Sequence, residues 1–169
     1  MMMTMSKADE FVAVATKEIG TVETGTNHIK YGVFTKHDGQ AWCGSFIMWC
    51  ANEVKQKMPN VVWTPGGVAA FQGLGTWTHS ATAKPKPGDI VFFDFTPGGA
   101  LVEHVGIVVK DNLDGTVTTI EGNTSPEHKT AGSQANGGEV AKRIRAYKKD
   151  NKRKLPAYIV GFGRPKWSK

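Results

Sequence analysis

The chain has 169 residues, 40% hydrophobic and 21% charged, with a formal net charge of +6 at pH 7. That profile fits one globular domain with one substantial core and excludes a disordered or fibrous chain. The positive balance favours anionic surroundings, such as nucleic acid, a membrane surface or an acidic cell-wall polymer.

The predicted elements run as follows. Ala8, Phe11, Val12, Ala15 and Ile19 recur at helical spacing, and Gly20 ends that run. Residues 21–40 read as loop. Cys43, Phe46, Ile47, Cys50 and Val54 again follow helical spacing, so a second helix runs to about Lys57 and stops before Pro59. Pro65-Gly66-Gly67 opens a short third helix, Val68 to Leu74. After the turn Pro85 to Asp89, strands are predicted at Ile90–Phe95, His104–Lys110, Thr116–Glu121, Val140–Tyr147 and Tyr158–Phe162. Asp114-Gly115 is a hairpin signal, and Thr124 to Gly138 reads as a surface loop. Helices first and antiparallel strands afterwards predict an α+β domain, with the helices packed on one side of a sheet.

The chemistry concentrates at Cys43. It stands where a polar loop, Lys36 to Gln40, gives way to a helix. A helix start offers free backbone N–H groups and the positive end of the dipole, which favour the thiolate, the nucleophilic form. Cys50 lies two turns further along the apolar face, roughly 10 Å away, too far for a disulfide and placed as core. His104 opens a strand, and Glu121 and Asn123 end the next one. One hairpin register sets His104 opposite Asn123 and Gly106 opposite Glu121; a shift by two sets His104 opposite Glu121. In either, Glu121 and Asn123 share a strand face and can reach the imidazole. A nucleophile, a base and an orienting carboxylate or amide are the parts of a cysteine hydrolase. Gln40 could donate its amide N–H to a developing oxyanion, with the Cys43 N–H as second donor.

The remaining histidines, His28, His37, His79 and His128, scatter through polar loops and read as surface. No close pair of Cys, His or Glu has metal-ligand spacing, so no zinc site is read here. The basic residues Lys142, Arg143, Arg145, Lys148, Lys149, Lys152, Arg153 and Lys154 cluster without interleaved aromatics. That pattern fits a solvated basic face and not a single-strand nucleic-acid groove. No stretch approaches a membrane span, and Met1 to Lys7 lacks a secretion signal.

Five blocks in order resemble the CHAP domains, the cysteine, histidine-dependent amidohydrolases/peptidases of the NlpC/P60 and papain-like group. They are Trp42-Cys43-Gly44-Ser45-Phe46 with Trp49-Cys50, Lys86 to Phe93, Glu103 to Val108, Ile120 to Thr124, and Val160 to Pro165. The resemblance covers about residues 8–165. It implies a papain-like fold and a single catalytic domain over 1–169. Carried over residue by residue, it makes Cys43 the nucleophile, His104 the general base, Glu121 the orienting residue and Asn123 an alternative or auxiliary one. It implies action on peptidoglycan amide bonds and a phage endolysin-like enzyme. Such an enzyme is made in the host cytoplasm and acts at the cell wall as a monomer, with no nucleic-acid partner and no membrane insertion. Some relatives carry an acidic calcium loop before the nucleophile. Here Thr35 to Gly39 holds a single acid, Asp38, and no cofactor or required metal is expected. Two other readings stay open: an amidase for a small peptide conjugate, and a non-catalytic wall-binding module on the same fold.

Overall fold

The computed structural model describes residues 4–96, 102–127, 133–149, 152 and 156–169. Among these residues four α-helices precede the strands: α1 (Lys7–Lys17), α2 (Lys30–Thr35), α3 (Cys43–Glu53) and α4 (Thr64–Gly73). Six strands follow: β1 (Trp77–His79), β2 (Ile90–Phe93), β3 (His104–Asp111), β4 (Thr116–Thr124), β5 (Glu139–Ala146) and β6 (Ile159–Gly163). They form one sheet in the order β1-β6-β2-β3-β4-β5, antiparallel at every pairing. The α+β class and the helix-on-sheet layering expected from the sequence are what the structure has.

Local chemistry explains the departures. α1 starts at Ser6, whose hydroxyl accepts from the Asp9 N–H, a standard N-cap. α3 ends at Glu53, earlier than periodicity suggested, because Lys55 turns into the left-handed region at φ 55° and Gln56 N–H folds back onto the Ala51 carbonyl. α4 begins at Thr64, ahead of the expected Val68. Pro65 sits in its first turn, where a missing N–H costs no helical bond. The loop expected over 21–40 contains α2. β1, three residues long and paired along the edge of β6, leaves too short a pattern to announce a strand.

The main core lies between the helices and the sheet. Phe11, Tyr31, Trp42, Phe46, Ile47 and Cys50 from the helices meet Ile90, Phe92, Val105, Ile107 and Ile120 from the strands, all fully buried or nearly so. Truncating one such aromatic to Ala costs about 3–5 kcal/mol. A smaller cluster on the opposite sheet face joins Val91, Phe93, Val108, Val117, Tyr147, Ile159 and Phe162. β4 is therefore buried along its whole length. α3 packs across β3 and β4. The approach is closest at Gly122, where an added Cβ would come within 2.7 Å of the Phe46 Cβ.

Candidate active site

Four elements bring the site together. α3 supplies Cys43 at its first residue. No side chain caps that helix, and its first intrahelical bond runs from Phe46 N–H to the Trp42 carbonyl. Cys43 thus sits at the positive end of the dipole with unbonded helical N–H groups around it. β3 supplies His104 at its first residue, fully buried. β4 supplies Glu121, also fully buried. β5 supplies Arg145, 6% exposed.

The hairpin takes the first of the two expected registers beside the site: Ile107 pairs with Ile120 and Val108 with Thr119. Continued by one step, this sets Gly106 opposite Glu121. A register shift between Val108 and Lys110 absorbs one residue nearer the turn. His104 and Glu121 are therefore diagonal neighbours, and the Glu121 side chain leans over Gly106 to reach the imidazole. His104 Nε2 lies 2.9 Å from Glu121 Oε1.

Glu121 makes four hydrogen bonds. Oε1 accepts from His104 Nε2 and from Arg145 Nη2 at 2.6 Å; Oε2 accepts from Arg145 Nε at 2.9 Å and from the Thr119 hydroxyl at 2.6 Å. A carboxylate has about four acceptor positions, so all of them are used. Burial would raise the Glu121 carboxyl, but the Arg145 charge and fork, with His104, hold it well below the usual carboxylate range. Ionised, it can only accept. The proton on His104 therefore belongs on Nε2, which leaves Nδ1 of a neutral imidazole as a free acceptor.

Nδ1 is buried and makes no hydrogen bond of ordinary geometry. His104 also interacts with the Cys43 side chain. Burial pulls the imidazole pKa down; hydrogen bonding with Cys43 and with Glu121 outweighs it and lifts the value to about 9. Phe93 and Phe95 stack on each other and flank the ring, with centroids 5.4 and 5.6 Å from it. The arrangement can take a proton at Nδ1, hold the resulting cation against Glu121, and give the proton back.

Cys43, His104 and Glu121 are brought together, and Asn123 is placed elsewhere. Asn123 is fully buried but does not share the Glu121 face. Its φ of 56° and the shift in β4–β5 pairing between Glu121 and Thr124 break the strand alternation there. Its amide donates to Asn136 at 3.1 Å and toward Asn27, and its carbonyl accepts from the Gly138 N–H at 2.9 Å. Asn123 thus ties down the chain that leads into β5. Gln40 is exposed in the bend before α3, its own N–H donating to the His37 carbonyl.

The basic cluster does not behave as one face. Lys142, Lys148, Lys149 and Lys152 are exposed, Arg143 is partly buried, and Arg145 is internal; Arg153 and Lys154 lie outside the described residues, as does His128. The error has a physical cause. The strand's outward position is filled by Ile144, 47% exposed, and the next position inward by Arg145. Register could have found it, since Thr119 pairs with Arg143 and Val117 with Arg145. Two cations at period two therefore stand on the face that holds Glu121. Asp38, the lone acid before Cys43, spends its carboxylate on His28 and on the Ile29 N–H. Among the described residues no three His, Cys, Asp or Glu side chains group as metal ligands.

The family model described as the CHAP domain matches residues 35–123 of this chain, from the end of α2 through Asn123. Among solved structures, the crystal structure of the wild type endolysin LysIME-EF1 shares the fold, with a TM-score of 0.50 and 14% identity. The match covers 95% of this chain and 65% of that one, so this chain spans about two thirds of its length. No curated protein matches the sequence.

Proposed function

The chain belongs to the CHAP domain family, and we propose that it is a cysteine amidohydrolase cutting an amide bond of bacterial peptidoglycan, in the manner of an endolysin. The bond is either the N-acetylmuramoyl-L-alanine link or one within the peptide stem and its cross-bridge. Residues 1–169 then act as one catalytic domain, with its core at about 8–165. The observation that carries this reading is the setting of His104: Nε2 is held by Glu121, Nδ1 is buried without a partner, and the ring interacts with the Cys43 side chain.

In this reading His104, with its pKa raised to about 9, holds the Cys43 proton on Nδ1 as an imidazolium at neutral pH, and the sulfur attacks the carbonyl carbon. The tetrahedral oxyanion is met by the Cys43 N–H at the helix start and by the Gln40 side chain. His104 protonates the leaving amine, the C–N bond breaks, and a thioester remains. A water molecule, deprotonated by His104, hydrolyses it, releasing the carboxylic acid and freeing the sulfur with the proton again on Nδ1. The exposed lysines beside β5 draw the enzyme to acidic wall polymers, where it works as a monomer.

The test is mass spectrometry of fragments released from purified walls, reading the new termini. New amine and carboxyl ends at one amide bond are expected, with Cys43→Ala lowering the rate by on the order of 10³ or more. Sugar reducing ends in place of peptide termini, or retained activity in Cys43→Ala, would sink the reading. Iodoacetamide should label Cys43 and spare Cys50, whose thiol burial pushes well above its ordinary value.

A further inference from the structure

Arg145 is a buried cation outside the matched family stretch, and none of the catalytic steps above uses it. Its guanidinium makes a two-point contact with one carboxylate, Nε to Glu121 Oε2 at 2.9 Å and Nη2 to Oε1 at 2.6 Å. Its remaining nitrogen, Nη1, donates to Gln134 Oε1. Its plane lies over Phe93 and Phe95, 5.1 Å from each ring centre. Those two rings also flank His104. Bidentate geometry fixes the carboxylate plane as well as its charge, which a point-charge lysine cannot do.

We propose that Arg145 is the positioning residue of this site: it keeps Glu121 ionised with Oε1 aimed at His104, so that the imidazole can release its proton without leaving a lone carboxylate in the core. The proposal rests on the cysteine-hydrolase reading of Cys43, His104 and Glu121. The charge count supports it. When His104 is protonated, Glu121 faces two cations; when it is neutral, Arg145 alone balances the buried charge. Without Arg145, deprotonating His104 would leave an uncompensated carboxylate, which is strongly unfavourable in a dry interior. The other charged groups nearby do not substitute. Cys43 acts on His104, and Arg143 acts on Glu121 through its field, its own Nη1 donating to the Ser125 carbonyl.

The test is the pH dependence of Cys43 alkylation by iodoacetamide in full-length wild type, Arg145→Gln and Arg145→Lys, with wall clearing measured alongside. In Arg145→Gln, alkylation near neutral pH should fall tenfold or more, and the acid limb of the profile should move up by a unit or more as Glu121 retains a proton. Arg145→Lys should restore the limb and only part of the rate. A folded Arg145→Gln protein with wild-type rate and profile overturns the proposal. If Arg145→Gln does not fold, the alkylation rate of folded Arg145→Lys decides: a rate below wild type with the limb in place supports the proposal, and a wild-type rate overturns it. Expected alkylation profiles with no wall clearing by any form would refute the peptidoglycan reading and leave this one standing.

Discussion

Gly106 stands across the β3–β4 ladder from Glu121, and a Cβ added there would lie 2.7 Å from the Glu121 Cγ. The empty space above Gly106 is what lets the carboxylate lean diagonally and bond His104. Gly106→Ala needs no unusual backbone, so its effect should come through Glu121. A loss of about 1–3 kcal/mol in stability is expected from the overpacked contact. Activity should fall tenfold or more in protein that is still folded. Thermal unfolding together with kcat/KM on walls separates the two. Unchanged kcat/KM would mean that the diagonal contact is unimportant.

Glu121 and Asn123 should fail in different ways. Glu121→Gln removes the charge that pairs both His104 and Arg145, so activity and stability should both drop, the latter by roughly 3–5 kcal/mol for the exposed imbalance of a buried cation. Asn123→Ala breaks bonds to Asn136 and Gly138 and should cost about 1–3 kcal/mol, with activity per folded molecule largely kept. Urea unfolding and kcat corrected for the folded fraction make the comparison. An inactive but fully folded Asn123→Ala would place Asn123 among the residues that orient His104.

The buried imidazole gives a pH signature. His104 has a folded pKa raised from 6.5 to about 9, so its contribution to stability is complete below 6.5 and is lost as pH rises through 9. A rise of that size is worth on the order of 3 kcal/mol, at about 1.4 kcal/mol per unit. Glu121 is depressed, so its contribution is present above its ordinary value and lost only in strong acid. Stability measured by denaturant should therefore decline between pH 6.5 and 9. The decline should shrink in Cys43→Ala, because Cys43 is the largest of the influences that raise the imidazole. An identical slope in both proteins would show that Cys43 does not act on His104.

The exposed lysines predict salt sensitivity. Lys142, Lys148, Lys149 and Lys152 are solvent-facing, and such charges are screened beyond about 8 Å at physiological salt. Wall binding should weaken as salt rises, while hydrolysis of a small soluble peptide should change little. Replacing Lys148, Lys149 and Lys152 together by Glu should weaken sedimentation with walls without lowering turnover of the small peptide. Equal salt effects on both substrates would leave these residues with a solubility role alone.

The positions of Cys43 and His104 were legible because each opens an element that its neighbours announce, a polar loop before Cys43 and a strand opening at His104; Glu121 was legible from the hairpin register, although β4 runs past it to Thr124. Two things were hidden. Asn123 lost its expected face because a left-handed residue breaks the two-residue alternation on which that expectation rests, and alternation alone does not reveal a positive φ. Arg145 was hidden by composition. Among eight clustered basic residues it looks like part of a solvated face, and only strand register separates it from Lys142 and Lys148. Its burial follows from a need that lies elsewhere in the chain, the charge of Glu121, and charge balance across 24 residues leaves no periodic trace.

Gly122, between the two polar residues of β4, works as a spacer of zero thickness. The α3 helix rests on the sheet there, against Phe46 and Trp42, so any side chain would act as a shim beneath the helix and lift its first residue. The height of the sulfur above the imidazole is thus set by an atom that is missing from the strand below. Reach in this site is a property of how low one helix can ride.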